Sequence, residues 1–168
     1  MLTLQEISDR LEIEELYGRY VHAVDAGDHA ALDDVFVSGT VFDWTSSGGP
    51  RETWAEAKNG PMMKNEMFPF VFHACVNIVI DFDGDHGDAG PDGATVRSKT
   101  IHPTGLYGPG GEPVLYQVHG VYVDRVHRTA EGWRIVERVW HGAWAVGGLT
   151  LAGGIPEMLA AAGVARPQ

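Results

Sequence analysis

The order of local patterns along the chain limits its fold more than any single residue does. The first sixty residues read as helices with one short strand between them, and everything from about residue 70 to 145 reads as strands. Four runs, about 70–83, 94–106, 113–127 and 132–145, are rich in β-branched and aromatic residues, and turn-forming residues separate them. Helices first and consecutive strands afterwards predict an α+β domain with a mostly antiparallel sheet. No internal repeat interrupts this plan.

The first helix is expected over Leu4–Ala26. Thr3 followed three residues later by Glu6 is a capping-box pattern, and Gly27 is placed to end the helix. Leu4, Ile7, Leu11, Gly18, His22 and Asp25 share one face at helical spacing, and Ile13, Tyr17, Tyr20 and Val24 form a second stripe. An apolar surface that wide suggests a helix enclosed by a concave sheet. Asp28 can cap a short second helix reaching Phe36, Val41–Trp44 reads as a strand, and Pro50 is placed to open a third helix from Arg51 to about Lys58.

Composition removes several functions. With 168 residues and 44% apolar content the chain suits one domain with a real core. A net charge of −11 opposes binding to phosphate backbones and to anionic lipid, so neither nucleic acid nor membrane is an expected partner. No apolar run approaches the ~18 residues needed to span a bilayer. Cys75 is the sole cysteine, which excludes an internal disulfide, and residues 1–20 do not resemble a signal peptide. These features lead us to expect a cytoplasmic protein. Residues 1–147 form the expected domain. Residues 148–168 form an Ala- and Gly-rich tail with room for a short helix near Pro156–Ala162, over a cavity or at an oligomer contact.

Polar residues in otherwise apolar elements mark candidate chemistry. Asp25 stands at the C-terminal end of the first helix, where the helix dipole disfavours a carboxylate. His73 stands in the apolar run Phe70–Ile80. A carboxylate that orients an imidazole makes a general base near neutral pH. The alternative is a solvated Asp and a His satisfied by backbone. Tyr20 and Tyr17 lie on the second helical stripe, where a buried phenol needs a partner; beside an acid–base pair Tyr20 is a candidate catalytic group that protonates a leaving oxygen or holds a carbonyl oxygen, and Tyr17 is a candidate substrate contact or a packing residue with one incidental hydrogen bond. In the strand Leu115–Val123, Gln117, His119 and Val121 share a face, and either that face or the one bearing Tyr116, Val118 and Tyr122 lines the interior. Arg134, Val136, Arg138 and Trp140 alternate in the last strand, so an inward Arg138 could stabilise an anion or pair with an acid.

Metal chemistry finds little support. Asp81–Asp88 superficially resembles a calcium loop, but His86 occupies the position that needs glycine, and strands flank it. His22, Asp25, His73 and His119 could supply a two-histidine, one-carboxylate set only if the fold gathered them. We expect no metal and no cofactor.

The segment Glu15–Asp25, the following Gly27-Asp28, Phe42 and Trp44, His73-x-x-x-Asn77, Gly120-x-Tyr122-x-Asp124-Arg125 and Gly132–Ile135 together resemble the SnoaL-like branch of the NTF2-like superfamily, over roughly residues 3–145. Within it the chain is most similar to the scytalone dehydratase-like group, which includes bile-acid 7α-dehydratase and hexachlorocyclohexane dehydrochlorinase. The resemblance implies a conical barrel: a strongly curved, mostly antiparallel sheet wrapped around N-terminal helices, with an internal apolar cavity. It implies a catalytic dyad at Asp25 and His73. Trp44 and Arg138 match residues of the dehydrochlorinase, and Tyr20 stands where that enzyme has lysine, which tilts the expectation towards an oxygen-bearing substrate. Phe68, Val71, Val121 and Trp140 are expected lining residues, beside Gln117 and His119.

These expectations combine into a cofactor-independent lyase or isomerase of dehydratase type. Its substrate would be a hydrophobic cyclic small molecule such as a steroid, terpenoid or polyketide. A polyketide cyclase of SnoaL type, or a non-catalytic ligand carrier or association module, would use the same fold. The resemblance also implies a homo-oligomer, trimer or dimer, assembled through the convex sheet face.

Overall fold

A computed structural model of the chain describes residues 2–60, 63, 68–84, 92–107 and 110–147, the side chain of Leu106 excepted. The C-terminal tail and the second half of the calcium-like loop lie outside the described residues. The elements follow the predicted order, except that the second helix ends at Leu32 and not at Phe36, where a strand begins, and that Arg51–Thr53 is a strand. Helix α1 (Leu4–Ala26) and the short α2 (His29–Leu32) precede β1 (Phe36–Asp43). A 3₁₀ turn (Thr45–Ser47), β2 (Arg51–Thr53) and α3 (Trp54–Ala57) follow. The remaining strands are β3 (Phe70–Val71), β4 (Ala74–Phe82), β5 (Gly93–Tyr107), β6 (Pro113–Thr129) and β7 (Gly132–Gly147). They make one sheet in the order β2-β1-β7-β6-β5-β3, with β4 also paired to β5. All pairings are antiparallel except β1 with β7, which is parallel. The result is an α+β cone: a curled, mixed half-barrel sheet around the N-terminal helices.

Local chemistry sets the helix ends. The Thr3 hydroxyl accepts the Glu6 N–H, and Gly27, at φ 66°, turns the chain back so that its N–H caps α1. Only glycine adopts that left-handed conformation without strain. The third helix is shorter than expected. Arg51–Thr53 pairs with β1 instead, and the capping box of Thr53 and Glu56 starts the helix one turn later.

The core corrects the reading of α1. Ile13, Leu16, Tyr17, Tyr20, Ala23 and Val24 are buried against the sheet. The other stripe is not: Leu4, Ile7 and Leu11 are exposed. A cone can enclose only the helix face turned towards it, and the sheet selected the stripe carrying the two tyrosines.

A bulge at Val136 decides which residues of β7 around it point inward. The pairing of β6 with β7 slips between Arg125 and Val126, leaving Val136 as an extra residue. Trp133 and Ile135 therefore face the core before the slip, and Arg138 and Trp140 after it. The expected alternation of Arg134, Val136, Arg138 and Trp140 on one face is broken there. Arg134 instead folds back onto the carbonyls of Glu131 and Trp133. A second bulge falls in β4, between Val76 and Val79, where Asn77 takes a positive φ of 53°. No helix among the described residues is long and apolar enough to cross a membrane.

Candidate active site

Asp25 and His73 meet. The last turn of α1 brings the carboxylate to the point where β3 gives way to β4, at the edge of the sheet. Across that break, pairing with β5 keeps one register, so His73 lies opposite His102. The backbone N–H of an edge residue that points away from its partner strand is free to bond elsewhere. That of His73 donates to Asp25 Oδ2 at 2.9 Å, and Nδ1 stands 2.5 Å from Asp25 Oδ1. A carboxylate only accepts, so Nδ1 carries the proton and Nε2 is left as the base. The pair is not sealed: the side chains are 15% exposed at His73 and 24% at Asp25. A groove of about 690 Å³ reaches Asp25 past Val71, Phe70, Phe72 and Thr104.

Aromatic groups surround the imidazole. The Tyr20 ring stands edge-on to His73 with centroids 6.3 Å apart. Its hydroxyl is 3.3 Å from that of Tyr122. Burial raises the pKa of both phenols, so each is held as a proton donor. Trp44 stacks on Phe42 and meets the edge of Tyr122. Trp140 packs between Tyr122 and His102 and ties its indole N–H to Ser47.

Arg138 faces inward and is fully buried, but its charge is already answered. It forms a two-point ion pair with the equally buried Asp124, with Nε 3.0 Å from Oδ1 and Nη2 2.7 Å from Oδ2. Tyr17 donates to the same carboxylate at 2.5 Å. The guanidinium carbon lies 4.1 Å from the Tyr20 ring centre and 4.0 Å from that of Tyr122. A cation held by aromatic faces and a bidentate carboxylate is well compensated for its loss of water. Tyr17 thus belongs to this structural network; its expected contact with substrate is replaced by a bond to Asp124.

Three expected lining residues are elsewhere. In β6, Tyr122, Asp124 and Val126 point to the helix, so Gln117, His119 and Val121 point the other way. His119 stacks on Trp144 on that outer face, centroids 4.1 Å apart. A strand shows one parity to the core, and the buried Asp124–Arg138 pair fixed which. The possible metal set fails with it: His22 is exposed and His119 faces away. Phe68 is half-buried ahead of β3, and Asp81 and Asp83 pair with Arg97 and Arg125.

His102 is the site residue that sequence reasoning missed. It lies 4.3 Å from His73 and 5.5 Å from Trp140, centroid to centroid. Burial, aided by the nearby His73 and Arg138, pushes its pKa down to about 2, so it stays neutral. The available signal was the alternation Ser98-x-Thr100-x-His102-x-Thr104 in β5, a polar stripe in a strand destined for the sheet centre.

The fold and this geometry define a class: an α+β cone with an acid–base pair set into an aromatic interior. A family model described as a SnoaL-like domain matches residues 5–139. The chain belongs to that family. The protein Rv2910c of Mycobacterium tuberculosis (strain ATCC 25618 / H37Rv), itself uncharacterized, is 31% identical over 139 residues, covering 83% of this chain and 88% of that protein. Among solved structures, hexachlorocyclohexane dehydrochlorinase (LinA) Type2 superposes with a TM-score of 0.71 at 15% identity, over 87% of this chain and 94% of that one. A Novosphingobium aromaticivorans protein, provisionally named a scytalone dehydratase, gives 0.69 at 18% identity, over 86% and 90%. At such identities the likeness is one of fold.

Proposed function

We infer that the protein is a cofactor-independent lyase or isomerase acting on a cyclic, largely apolar small molecule that bears oxygen. The observation that carries this reading is the two-point clamp of Asp25 on His73, through Nδ1 and the backbone N–H together. A carrier needs apolar walls but no such clamp. In the proposed reaction Nε2 of His73 removes an acidic C–H proton, and the released electron pair forms the new double bond. The β-hydroxyl departs as water with a proton from Tyr20. Arg138, 4.1 Å from the Tyr20 ring centre, stabilises the developing phenolate. Asp25 holds the imidazole tautomer and stabilises the imidazolium. A positioned base supplies roughly 10²–10⁴ in rate, and orientation inside the cone the rest. The exposed apolar residues Ile101, Trp144 and Val146 on the outer sheet face support self-association there.

The test is a screen of β-hydroxy cyclic ketones and hydroxysteroids for appearance of the conjugated product's absorbance. Asp25→Asn should lower turnover by about 10²–10⁴ while the protein stays folded. Equal turnover by wild type and Asp25→Asn would remove the dyad from the reaction.

A further inference from the structure

The groove at the mouth of the cone is larger than the dyad chemistry needs. It holds about 690 Å³, and Asp25 is part of its lining, so it is continuous with the site. Phe70, Val71, Phe72, Val114 and Leu115 make that lining largely apolar. Such a volume is ample for a small-molecule site. The cone interior offers less surface, because Tyr20, Trp44, Tyr122 and Trp140 are buried against one another.

The walls of the groove are held in place. The Phe72 N–H donates to the Pro103 carbonyl at 3.1 Å, which fixes the chain beside a residue that is 63% exposed. Phe70 meets the Tyr107 ring edge-on, centroids 5.3 Å apart. It also lies over Gly105, where a Cβ would fall 3.0 Å from its ring. Leu115 is 57% exposed. Large apolar side chains fixed in water-facing positions mark a surface that is covered in use. The polar groups of the groove are already engaged. The Thr104 hydroxyl donates to the Tyr116 carbonyl at 2.8 Å, and both Asp25 oxygens hold His73. Among the described residues, none of the lining side chains is a lysine, arginine or histidine. An anionic group there would meet a carboxylate with no cation to answer it.

We propose that this groove is a subsite for an uncharged apolar extension of the substrate, an alkyl or aryl chain leading away from the ring that reacts at His73. Phe72 and Leu115 are its specificity-determining residues. A conjugate that carries phosphate or carboxylate at that end is disfavoured. The inference rests on the reading that the substrate reacts at the dyad, but it concerns binding and not turnover.

A series of 4-alkylcyclohexanones tests it, with the chain lengthened from methyl through propyl to pentyl on one cyclic ketone. In calorimetric titrations of the full chain, Kd should fall by roughly threefold per methylene as each leaves water. The charged probe 3-(4-oxocyclohexyl)propanoate matches the pentyl compound in length and should bind on the order of tenfold more weakly. Leu115→Ser and Phe72→Ser replace exposed side chains, so Tm should hold while the gain per methylene shrinks. A reduced gain in either folded variant supports the subsite. Wild type without the gain overturns it, whether the probes fail to bind or a second copy or residues 148–168 cover the groove. An undiminished gain in both variants also overturns it, by placing the alkyl chain inside the cone, and so does equal binding of the propanoate. A gain with chain length in a protein that eliminates no water keeps the subsite and discards the lyase.

Discussion

Two carboxylates, Asp25 and Asp124, each hold a nitrogen base inside the same cone, and the contrast between them separates chemistry from architecture. Asp124 is fully buried, grips a permanent cation through two bonds, and takes a third from Tyr17. Asp25 lies at the rim, partly exposed, and grips an imidazole through one ring nitrogen, leaving the other unpaired by it. A buried pair with a fixed charge can orient neighbours but has no proton to exchange. A rim pair with one ring nitrogen free can exchange protons, and weak burial keeps it within reach of a ligand. Backbone placement separates the two roles. Asp124 and Arg138 are cross-strand partners at the middle of the sheet, whereas Asp25 uses an edge N–H left over where β3 stops.

The comparison breaks first at Arg138. Arg138→Met strands a buried carboxylate and should cost about 3–5 kcal/mol in urea unfolding. The double variant Arg138→Met with Asp124→Leu should recover much of that loss. A single variant as stable as wild type would erase the architectural role assigned to this pair. Asp25→Asn provides the opposite signature: the large loss in rate predicted above, with urea stability shifted by no more than about 1 kcal/mol, since the side chain is partly solvated. Tyr17→Phe is a finer probe. It removes one of three bonds to Asp124 and should cost about 1.5 kcal/mol with no change in ligand preference. A lost preference would return Tyr17 to the binding surface.

Taken per pH unit, the smallest expected effect is a slope. The folded chain keeps His102 neutral down to about pH 2, while in the unfolded chain the same imidazole takes a proton below about 6.5. The unfolded state therefore binds more protons between those values, and stability falls as pH falls through that window. The His102 contribution is at most about 1.4 kcal/mol per pH unit. His102→Phe should flatten the profile between pH 6.5 and 4.5, and an unchanged slope would place the proton elsewhere.

The candidate site was legible in unequal parts. Asp25 and His73 stood out because each breaks a local rule: a carboxylate at the wrong end of a helix dipole, and an imidazole in an apolar strand. Tyr20, Trp44, Val71 and Trp140 followed from periodicity and resemblance. Gln117, His119 and Val121 were misplaced because a strand with polar residues on both faces does not declare which is inward. His102 went unseen because its importance depends on lying opposite His73, a matter of register between two strands.

Taken alone, the sequence determined the element order, the helix caps at Thr3 and Gly27, and the absence of an internal disulfide. Each follows from interactions between near neighbours or from composition. Tertiary structure decided the rest: which stripe of α1 is buried, which parity of β6 faces in, where β7 bulges at Val136, and that Tyr17 serves Asp124. Those outcomes depend on contacts between residues as far apart as Tyr17 and Asp124. No local pattern encodes them, because a strand or helix presents its faces equally well until a partner arrives to cover one.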